Sequence, residues 1–499
     1  MERADSLPVS AIVRRPVNIG VRLGRLLLPL YISAAVAGFF ALTSDEFEHW
    51  FLIPLVLCGA VIGADAVDWL FGKADLFDPA GLLGVTGYYF LFVSPLMVVA
   101  WNHRLLYLPN QPDDYRSWLG GMAILNLAGL FVYRAVRRFV TRMPTPGKPA
   151  APWLIDNQRF GIAVLLTLAV SIGLQTWVYV AYGGISGYIA AYMAWLAGED
   201  SFKGTAWLFS ISESFPILGM IGFAAALRKR RTPPGWILLG AAMTVFFALE
   251  MLFGGLRGSR GNTVWGLFWA AGVIHFCLRP LPRRILFVGL PFLIVFMYFY
   301  GFYKELGPNA VQALQGEEER TQLAEKTKRN SEMLLLSDFS RADVQSFLLF
   351  RLITTPENYS YALGQTYFGA LALAIPSAVW PGRPPSKVKW TTEAEYGEGA
   401  YGAGPLISSR VYGLQGETML NFGPWLVPLA FAPLGLAVGA VRRMTRRMIP
   451  SDSRWLLVPF CIVFCILILL NDSDVNLFYL LKTGALPALV VLVGSRKAK

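Results

Sequence analysis

Apolar runs of about 20 residues recur along this 499-residue chain, and they constrain its fold more than any other feature. A helix of that length crosses the hydrocarbon core of a bilayer. Only 15% of the residues are charged, whereas soluble proteins have about 25%. The sequence therefore predicts an all-α polytopic membrane protein with about 12 transmembrane helices. The predicted spans are residues 24–43, 50–72, 79–101, 117–136, 160–182, 204–227, 235–255, 262–281, 285–303, 419–441, 455–471 and 474–494.

The distribution of Lys and Arg between alternate connections predicts how these spans are oriented. The connections on the side of the N-terminus hold 27 basic residues, and the short connections on the other side hold five. Because basic residues are retained in the cytoplasm, both termini are predicted to be cytoplasmic. The net charge of +12 follows from this topology, so it does not indicate nucleic-acid binding.

Cysteine and histidine usage gives no sign of a disulfide framework or a metal site. The four cysteines all fall within apolar spans, where they are expected to be small core residues. The three histidines lie in different segments without metal-ligand spacing. We predict no metal and no cofactor. The N-terminus lacks the pattern of a cleaved secretory signal, so the first span is expected to remain.

One long connection divides the chain into residues 1–303, 304–418 and 419–499. The connection is predicted to be extracytoplasmic and, with ten basic and thirteen acidic residues from 305 to 418, to form a folded polar layer. Its segment 315–337 is charged and predicted to be helical. The broken apolar run 363–380 is interpreted as re-entrant or interfacial, and residues 186–198 as a second interfacial segment.

Arg257 and Arg260 are among the few basic residues predicted on the outer side, where topology does not require them. At this spacing two guanidinium groups would lie on one side of a helical turn and could bind phosphate oxygens bidentately. We interpret the pair as an anion site, with contact to lipid headgroups as the alternative. Glu250, seven residues earlier, is predicted to orient Arg257 or to form a structural ion pair. Glu250 and four other charged residues within the spans must face the bundle interior; the others are Asp65, Asp68, Glu213 and Lys482.

Further candidates lie in the long connection. Glu417, at its end, could act as a general base for a hydroxyl group, with Arg410 two helical turns earlier; a carboxylate favoured by a helix N-terminus is the alternative. Asp338 is the second candidate base. Lys387 and Lys389 alternate on a stretch predicted to be extended and could reach phosphate, or simply be solvated. The remaining candidate substrate contacts are Arg341, Arg351, Arg383 and Tyr359, with Trp380, Trp390, Tyr396 and Tyr401 able to stack on sugar rings.

Several motifs occur in order along most of the chain. They are Leu-Phe-Asp-Pro at 76–79, Arg-Gly-Ser-Arg at 257–260, Leu-Ser-Asp-Phe-Ser-Arg at 336–341, Tyr-Ala-Leu-Gly-Gln-Thr-Tyr at 361–367, Ile-Pro at 375–376, Trp-Pro-Gly-Arg-Pro at 380–384 and Gly-Glu-Thr-Met-Leu-Asn-Phe-Gly at 416–423. Together they resemble the bacterial oligosaccharide repeat-unit polymerases, the Wzy or O-antigen polymerase family. Ser377 stands where a basic residue is expected, so no role is assigned to it.

The resemblance implies a metal-independent glycosyltransferase of the GT-C kind at the outer face of the bacterial cytoplasmic membrane. Such an enzyme transfers a glycan from polyprenyl diphosphate to a sugar hydroxyl of another lipid-linked repeat unit. The leaving diphosphate needs prearranged cations, for which Arg257, Arg260 and then Arg410 are the candidates. The implied partners are lipid-linked oligosaccharides, membrane lipids, and the chain-length regulator and flippase of the same pathway.

Two other functions stay open at this point. A transporter or flippase of lipid-linked sugars fits the span count and the acidic residues within the spans, but no internal repeat is evident and the long connection would be unexplained. An O-antigen ligase would share the donor and the outer arginines. Ligases of that type usually employ a histidine in an outer loop, whereas His49 and His103 lie in early short connections.

Overall fold

The computed structural model describes residues 24–105, 108–143, 151–197, 199, 201–202, 205–228, 230, 232–258, 260–314, 316, 320–324, 332, 335–336, 339–375, 379–404 and 407–498. Within these residues the chain is predominantly helical. Its α-helices are α1 (Gly24–Ala41), α2 (Leu52–Leu70), α3 (Pro79–Tyr88), α4 (Ser94–Ala100), α5 (Tyr115–Arg142), α6 (Asn157–Ala181), α7 (Gly184–Leu196), α8 (Ala206–Ser212), α9 (Phe215–Leu227), α10 (Trp236–Phe253), α11 (Arg260–Val273), α12 (Leu286–Leu306), α13 (Ala342–Thr354), α14 (Gln365–Leu373), α15 (Val388–Tyr396), α16 (Gly413–Phe422), α17 (Val427–Thr445), α18 (Val458–Leu470), α19 (Ser473–Tyr479) and α20 (Ala485–Val493).

Shorter elements connect or extend these helices. The 3₁₀ turns are Asp45–Phe47, Gly255–Arg257, Arg283–Ile285, Gly307–Leu314, Pro356–Asn358, Pro424–Leu426 and Ser453–Leu456. The π-helical turns are Tyr89–Val93, Ile274–Leu278 and Leu480–Gly484. Strands β1 (Trp153–Ile155) and β2 (Ser495–Lys497) pair antiparallel, with Trp153 opposite Lys497.

Among the described residues, ten helical stretches are long and apolar enough to cross a membrane. They are Leu52–Leu70, Pro79–Ala100, Tyr115–Arg142, Asn157–Ala181, Trp207–Leu227, Trp236–Arg257, Arg260–Leu278, Arg283–Gln312, Pro424–Thr445 and Ser473–Val493. Two shorter apolar helices, Leu26–Ala41 and Val458–Leu470, coincide with the first and eleventh predicted spans. The predicted all-α polytopic membrane architecture is thereby confirmed at this level.

Aspartates begin several of the spans because their side chains satisfy backbone N–H groups that have no partner inside the helix. Asp78 accepts a hydrogen bond from Gly81 N at 2.9 Å, directly before Pro79 at the first position of α3. Asp114 and Asp156 cap α5 and α6 in the same way. These caps lie where polar sequence meets an apolar run, within four residues of the predicted starts at 79, 117 and 160. Other limits differ more: the predicted span 419–441 begins inside α16, and the observed stretch is Pro424–Thr445.

Glycines allow α5 and α17 to approach closely, and these two helices form the most extensive interface among the described elements. A Cβ atom on Gly129 of α5 would lie 2.2 Å from the Phe431 ring of α17. On the other side, a Cβ atom on Gly435 would lie 2.7 Å from the Tyr133 carbonyl oxygen. Close backbone approach is the usual way in which helices gain packing energy in lipid, where no hydrophobic force draws them together.

Contacts between distant connections define one end of the bundle, which we call the arginine face. Arg442 binds Asp78 through two hydrogen bonds of 2.8 and 2.7 Å, and Arg228 donates to the Asp452 carbonyl at 3.3 Å. Arg283 donates to the Ala74 carbonyl, and β2 pairs with β1. All of these residues belong to the basic set of connections. The connections that the sequence groups together as rich in Lys and Arg therefore lie at one end of the bundle.

The opposite end, which we call the loop face, gathers the other connections. Arg116 binds Glu46 at 2.6 Å, and His103 Nδ1 contacts Glu332 at 2.8 Å. Part of the connection 304–418 enters the helical core there, because α13 packs against α4 and α5. Most apolar residues of α13 are buried, among them Val344, Phe347, Leu348, Leu349 and Leu352. The connection 304–418 is therefore not only the predicted polar layer, because part of it packs into the helical core.

Two helices correspond to the predicted interfacial segments. In the run 363–380 the helix is α14, whose nine residues are too few to cross a bilayer, and Phe368 and Leu371 on it are exposed apolar side chains. Helix α7 covers residues 186–196 of the other segment and is also outside the ten long stretches. Most of segment 315–337 lies outside the described residues.

Candidate functional site

Glu417 is the centre of a buried polar group on the loop face, which we call the carboxylate cluster: Glu417, Thr366, Asn421 and Ser473. Thr366 Oγ1 donates to Glu417 Oε1 at 2.8 Å, and Ser473 N donates to Oε2 at 2.6 Å. The Ser473 hydroxyl also donates to Oε1. Asn421 Nδ2 donates to Thr366 Oγ1 at 2.6 Å. The carboxylate therefore joins α14, α16 and α19, and Oε1 is shared by two hydroxyl groups.

Two glycines place Glu417 in the middle of a short helix. Gly413, with φ of +70°, begins α16, and Gly423, with φ of +83°, ends it directly before Pro424. Both residues adopt the left-handed region that favours glycine. The alternative prediction, that Glu417 stands at the start of its own helix, is wrong because the structure places Glu417 in the second turn of α16. Its oxygens meet the N-terminus of another helix, α19.

Burial raises the pKa of Glu417 from its ordinary value near 4.5 to about 7, and the charge of Asp472 adds to this shift. The hydrogen bonds from Ser473 and Thr366 oppose the shift because they favour the carboxylate. A carboxyl group with this pKa is partly ionised near neutral pH and can accept a proton there. This is the electrostatic condition for a general base.

Lys387 belongs to a buried ion pair next to the carboxylate cluster. Its Nζ contacts Asp472 and lies 3.5 Å from Asp474, and Asp472 Oδ1 also accepts from Tyr412 N at 3.0 Å. Burial would lower the pKa of Lys387, but Asp472 and Asp474 together raise it, so the amine stays charged. Asp472 and Asp474, the two partners of Lys387, flank Ser473 in the chain. Lys387 therefore holds the carboxylate cluster in place through these two aspartates.

The prediction that Lys387 and Lys389 lie on an extended stretch is wrong. Lys389 lies in the first turn of α15, with Lys387 preceding that helix, and Lys389 Nζ lies 4.2 Å from the centre of the Trp390 ring. The two lysines therefore do not alternate along a strand. Two prolines before Ser386 suggested an extended chain, but the apolar and threonine side chains of α15 are buried against neighbouring helices.

Arg410 is not two helical turns before Glu417, because α16 begins only at Gly413. Arg410 Nε lies 3.3 Å from Glu395 Oε1, and Glu395 also accepts a hydrogen bond from the Tyr412 hydroxyl. Burial raises the pKa of Glu395. Arg410 thus contacts a different carboxylate from the one with which the sequence pattern associated it.

Arg257 and Arg260 lie where one span ends and the next begins, at residues 254–258 and 260, which we call the arginine turn. The prediction that both lie on one side of a helical turn is wrong. Gly258 has φ of +79°, so the 3₁₀ turn ends at Arg257 and α11 begins at Arg260. A Cβ atom on Gly258 would lie 2.1 Å from the Tyr192 hydroxyl, which also requires glycine.

Glu213, and not Glu250, is the carboxylate that holds Arg257. Arg257 Nη2 and Lys482 Nζ both contact Glu213, and Asn262 Nδ2 donates to it at 3.1 Å. Arg257 also lies 3.8 Å over the Phe209 ring. Glu250 is buried against the backbone of α11, because a Cβ atom on Gly266 would lie 2.5 Å from its Oε1. The prediction that the charged residues within the spans face the bundle interior is confirmed for Glu250 and Lys482, which are buried, and for the Glu213 side chain, which is 7% exposed.

One apolar segment, Ser473–Val493, connects the carboxylate cluster with the arginine turn. Ser473, at its start, binds Glu417, and Lys482, nine residues later, binds Glu213 beside Arg257. At 1.5 Å per residue the two levels are roughly 14 Å apart along the helix. Lys482 lies in the π-helical turn Leu480–Gly484, and such turns shift side chains out of the α-helical register. The two clusters therefore lie at two different depths along this segment.

The remaining predicted residues are dispersed over the loop face. Tyr359 donates to the Leu420 carbonyl at 2.8 Å, and Arg383 donates to the Ile375 carbonyl at 3.2 Å. Arg341 donates to the Ser340 carbonyl. Arg351 is buried, and no described residue accepts a hydrogen bond from its Nε or Nη1. Asp338 and Ser377 lie outside the described residues.

The sequence interpretation missed Thr366, Ser473 and Asp472. Ser473 and Asp472 stand in Asn-Asp-Ser-Asp, directly after an apolar run and before another, which is a recognisable helix-start pattern. Thr366 has no local signal, because its role depends on α14 packing near α16. Among the described residues, no group of three or more His, Cys, Asp or Glu side chains could hold a metal ion.

No protein-family model, curated protein or solved structure matches the chain.

Proposed function

We propose that this chain is a membrane glycosyltransferase that polymerises oligosaccharide repeat units carried on polyprenyl diphosphate. The product would be a surface polysaccharide such as O-antigen, capsule or exopolysaccharide, made at the outer face of a bacterial cytoplasmic membrane. The proposal includes a GT-C-like bundle of twelve spans, with both termini cytoplasmic and the connection 304–418 outside. The ten long stretches, the two shorter apolar helices and the meeting of the basic connections at one face support this topology.

The observation that carries the proposal is the environment of Glu417. A buried carboxylate with a pKa of about 7 lies outside the long apolar stretches, and two hydroxyl groups already occupy its Oε1. An acceptor sugar presents the same chemical group, so its hydroxyl can replace one of them. Glu417 would then remove the proton as the acceptor oxygen attacks.

The arginine turn would supply the charge needed by the leaving group. The acceptor oxygen forms a bond with the anomeric carbon of the donor while the bond from that carbon to the diphosphate oxygen breaks. The electron pair stays on the diphosphate, whose negative charge Arg257 and Arg260 would stabilise. The donor would lie along Ser473–Val493, with its diphosphate at the level of Lys482 and its anomeric carbon directed towards Glu417.

Other predicted residues would then act on the glycan. Arg410, in contact with Glu395, would lie on the loop face with Arg351, Arg383 and Tyr359 as contacts for the polar repeat unit. Asp338 is retained as the second candidate base. A chain-length regulator and a flippase are the expected partners of such a polymerase.

A transporter of lipid-linked sugars is the second candidate, and one observation favours it. Glu213, Glu250 and Lys482 are ionisable groups with little-exposed side chains within apolar stretches, a pattern common in substrate and ion pathways through membranes. In the polymerase proposal these same residues surround and position Arg257, and the carboxylate cluster has a role as well, since it supplies the general base. We therefore favour the polymerase.

Purified protein reconstituted in liposomes with the lipid-linked repeat unit of its own organism tests this choice. EDTA is present throughout, and products are separated by size. We expect a ladder of chain lengths. Movement of intact units across the bilayer without a ladder would contradict the proposal and favour the transporter. Transfer of glycan only to an added lipid A core would favour a ligase.

Single cysteines test the proposed orientation independently. Tyr401→Cys on the loop face and Lys497→Cys in β2 are both at exposed positions. Of the native cysteines, Cys58, Cys277 and Cys465 are buried and Cys461 is partly buried, so background labelling should be low. A membrane-impermeant maleimide added to intact cells should label Tyr401→Cys alone. Labelling of Lys497→Cys alone would show that the topology is the reverse of the proposed one.

A further inference from the structure

Glu213 is held by three donors that differ in how readily they can leave. Lys482 Nζ is deeply buried, with 5% of its side chain exposed, whereas 20% of the Arg257 side chain is exposed. Asn262 supplies a third, neutral hydrogen bond. If Arg257 leaves, the carboxylate keeps one cation and one amide. A buried charge that keeps such partners avoids most of the cost of isolation.

The backbone of the arginine turn is fixed by tyrosine hydroxyl groups. Tyr303 donates to the Leu256 carbonyl at 2.7 Å, Tyr300 donates to the Gly255 carbonyl, and Tyr179 donates to the Leu252 carbonyl. These three bonds come from two other helices, α6 and α12. Because the carbonyls on both sides of Gly254 are held, Arg257 can change partners only by rotating its side chain.

The position of Arg257 leaves part of its guanidinium group unused. Its Nε is buried and has no hydrogen-bond partner among the described residues, while Nη2 contacts Glu213. The bond to Glu213 goes through one nitrogen and does not use the planar fork that makes arginine suited to phosphate. A diphosphate could bind two of its nitrogens at once, whereas Glu213 as placed binds one.

We propose that Glu213 is a positioning residue that holds Arg257 back, and that a diphosphate anion releases Arg257 by replacing Glu213 as its partner. Lys482 and Asn262 then stay on Glu213 and compensate its charge. This inference rests on the proposed function, since it assigns the anion to the arginine turn. It goes further by assigning opposite roles to the two cations: Arg257 binds substrate, and Lys482 sets how easily Arg257 is released.

Binding of radiolabelled farnesyl diphosphate, a short polyprenyl diphosphate, tests the inference with purified full-length protein in EDTA. In Lys482→Met, Arg257 becomes the sole cation on Glu213, so we expect the dissociation constant to rise about tenfold. In the double variant Glu213→Gln/Lys482→Met no carboxylate holds Arg257, so we expect the dissociation constant to fall about tenfold below that of the wild type. A purely structural role would weaken binding in both.

Four further variants make the result decisive. Lys73→Met, the same change at an exposed lysine that pairs with Asp68 on the arginine face, should leave binding unchanged. Lys482→Arg should restore the wild-type dissociation constant. Adding Arg257→Ala to the double variant should abolish its gain. If Arg257→Ala alone weakens binding but the double variant does not tighten it, the inference is wrong and the proposed anion site stands. If Arg257→Ala has no effect, both are wrong.

Discussion

The backbone N–H of Ser473 donates to Glu417 Oε2 across 2.6 Å, which joins the N-terminus of one apolar segment to a carboxylate from the preceding long connection. The first N–H groups of a helix carry partial positive charge and favour a carboxylate. The contact therefore fixes where Glu417 can act. It also ties the carboxylate cluster to the segment that carries Lys482.

The pH dependence of polymerisation should follow the ionisation of Glu417. Only the carboxylate can accept a proton, and burial raises its pKa to about 7. We expect the initial rate to rise about tenfold per pH unit below pH 7 and to level off above it. Initial rates from about pH 5 to about pH 9 check this. A flat profile across neutrality would exclude Glu417 as the base.

The same shift predicts how pH affects stability. Between pH 4.5 and about 7 the folded protein keeps a proton on Glu417 that the unfolded chain releases. Folding is thus favoured by this group at low pH, and its contribution is lost as pH rises through that window. We expect the unfolding temperature of wild type relative to Glu417→Gln to fall from pH 4.5 to 7. A constant difference between the two proteins would contradict the shift.

Asp78 should stabilise the arginine face by two separable interactions. It caps α3 through Gly81 N, and it binds Arg442 through two hydrogen bonds. Asp78→Asn keeps an oxygen for the cap but removes the charge, and we expect a loss of about 2 kcal/mol in unfolding free energy. Asp78→Ala should cost about 1 kcal/mol more because the cap is lost as well.

Thermal unfolding in detergent measures both variants of Asp78. In a double-mutant cycle, Arg442→Met should add little to Asp78→Asn, since the pair is already broken. Additive losses would show that the two residues act independently, and equal unfolding temperatures for Asp78→Asn and Asp78→Ala would show that the cap contributes nothing.

The sequence predicted the general architecture well because long apolar runs and basic connections are local signals. Each of the ten long apolar stretches could be predicted without knowing its neighbours, and the alternation of Lys and Arg grouped connections that the structure brings together, such as those of Asp78 and Arg442. The caps at Asp114 and Asp156 also lie at predicted limits. These features depend on residues close together in the chain.

The candidate site was less predictable because its contacts join residues far apart in the chain. Glu250 seemed the natural partner of Arg257 at seven residues' distance, but Glu213, 44 residues away, occupies that place. The left-handed backbone at Gly258 separates two arginines whose spacing suggested one helical face. Arg410 is directed to Glu395 because Gly413 starts a new helix after it.

A comparison of chain growth with donor binding tests the central claim most directly. Purified wild type, Glu417→Gln and Arg257→Ala are each incubated in EDTA with the lipid-linked repeat unit, and bound unit and product lengths are measured together. We expect a ladder from wild type, no ladder but retained binding from Glu417→Gln, and loss of both from Arg257→Ala. A ladder of wild-type length and rate from Glu417→Gln would contradict the account.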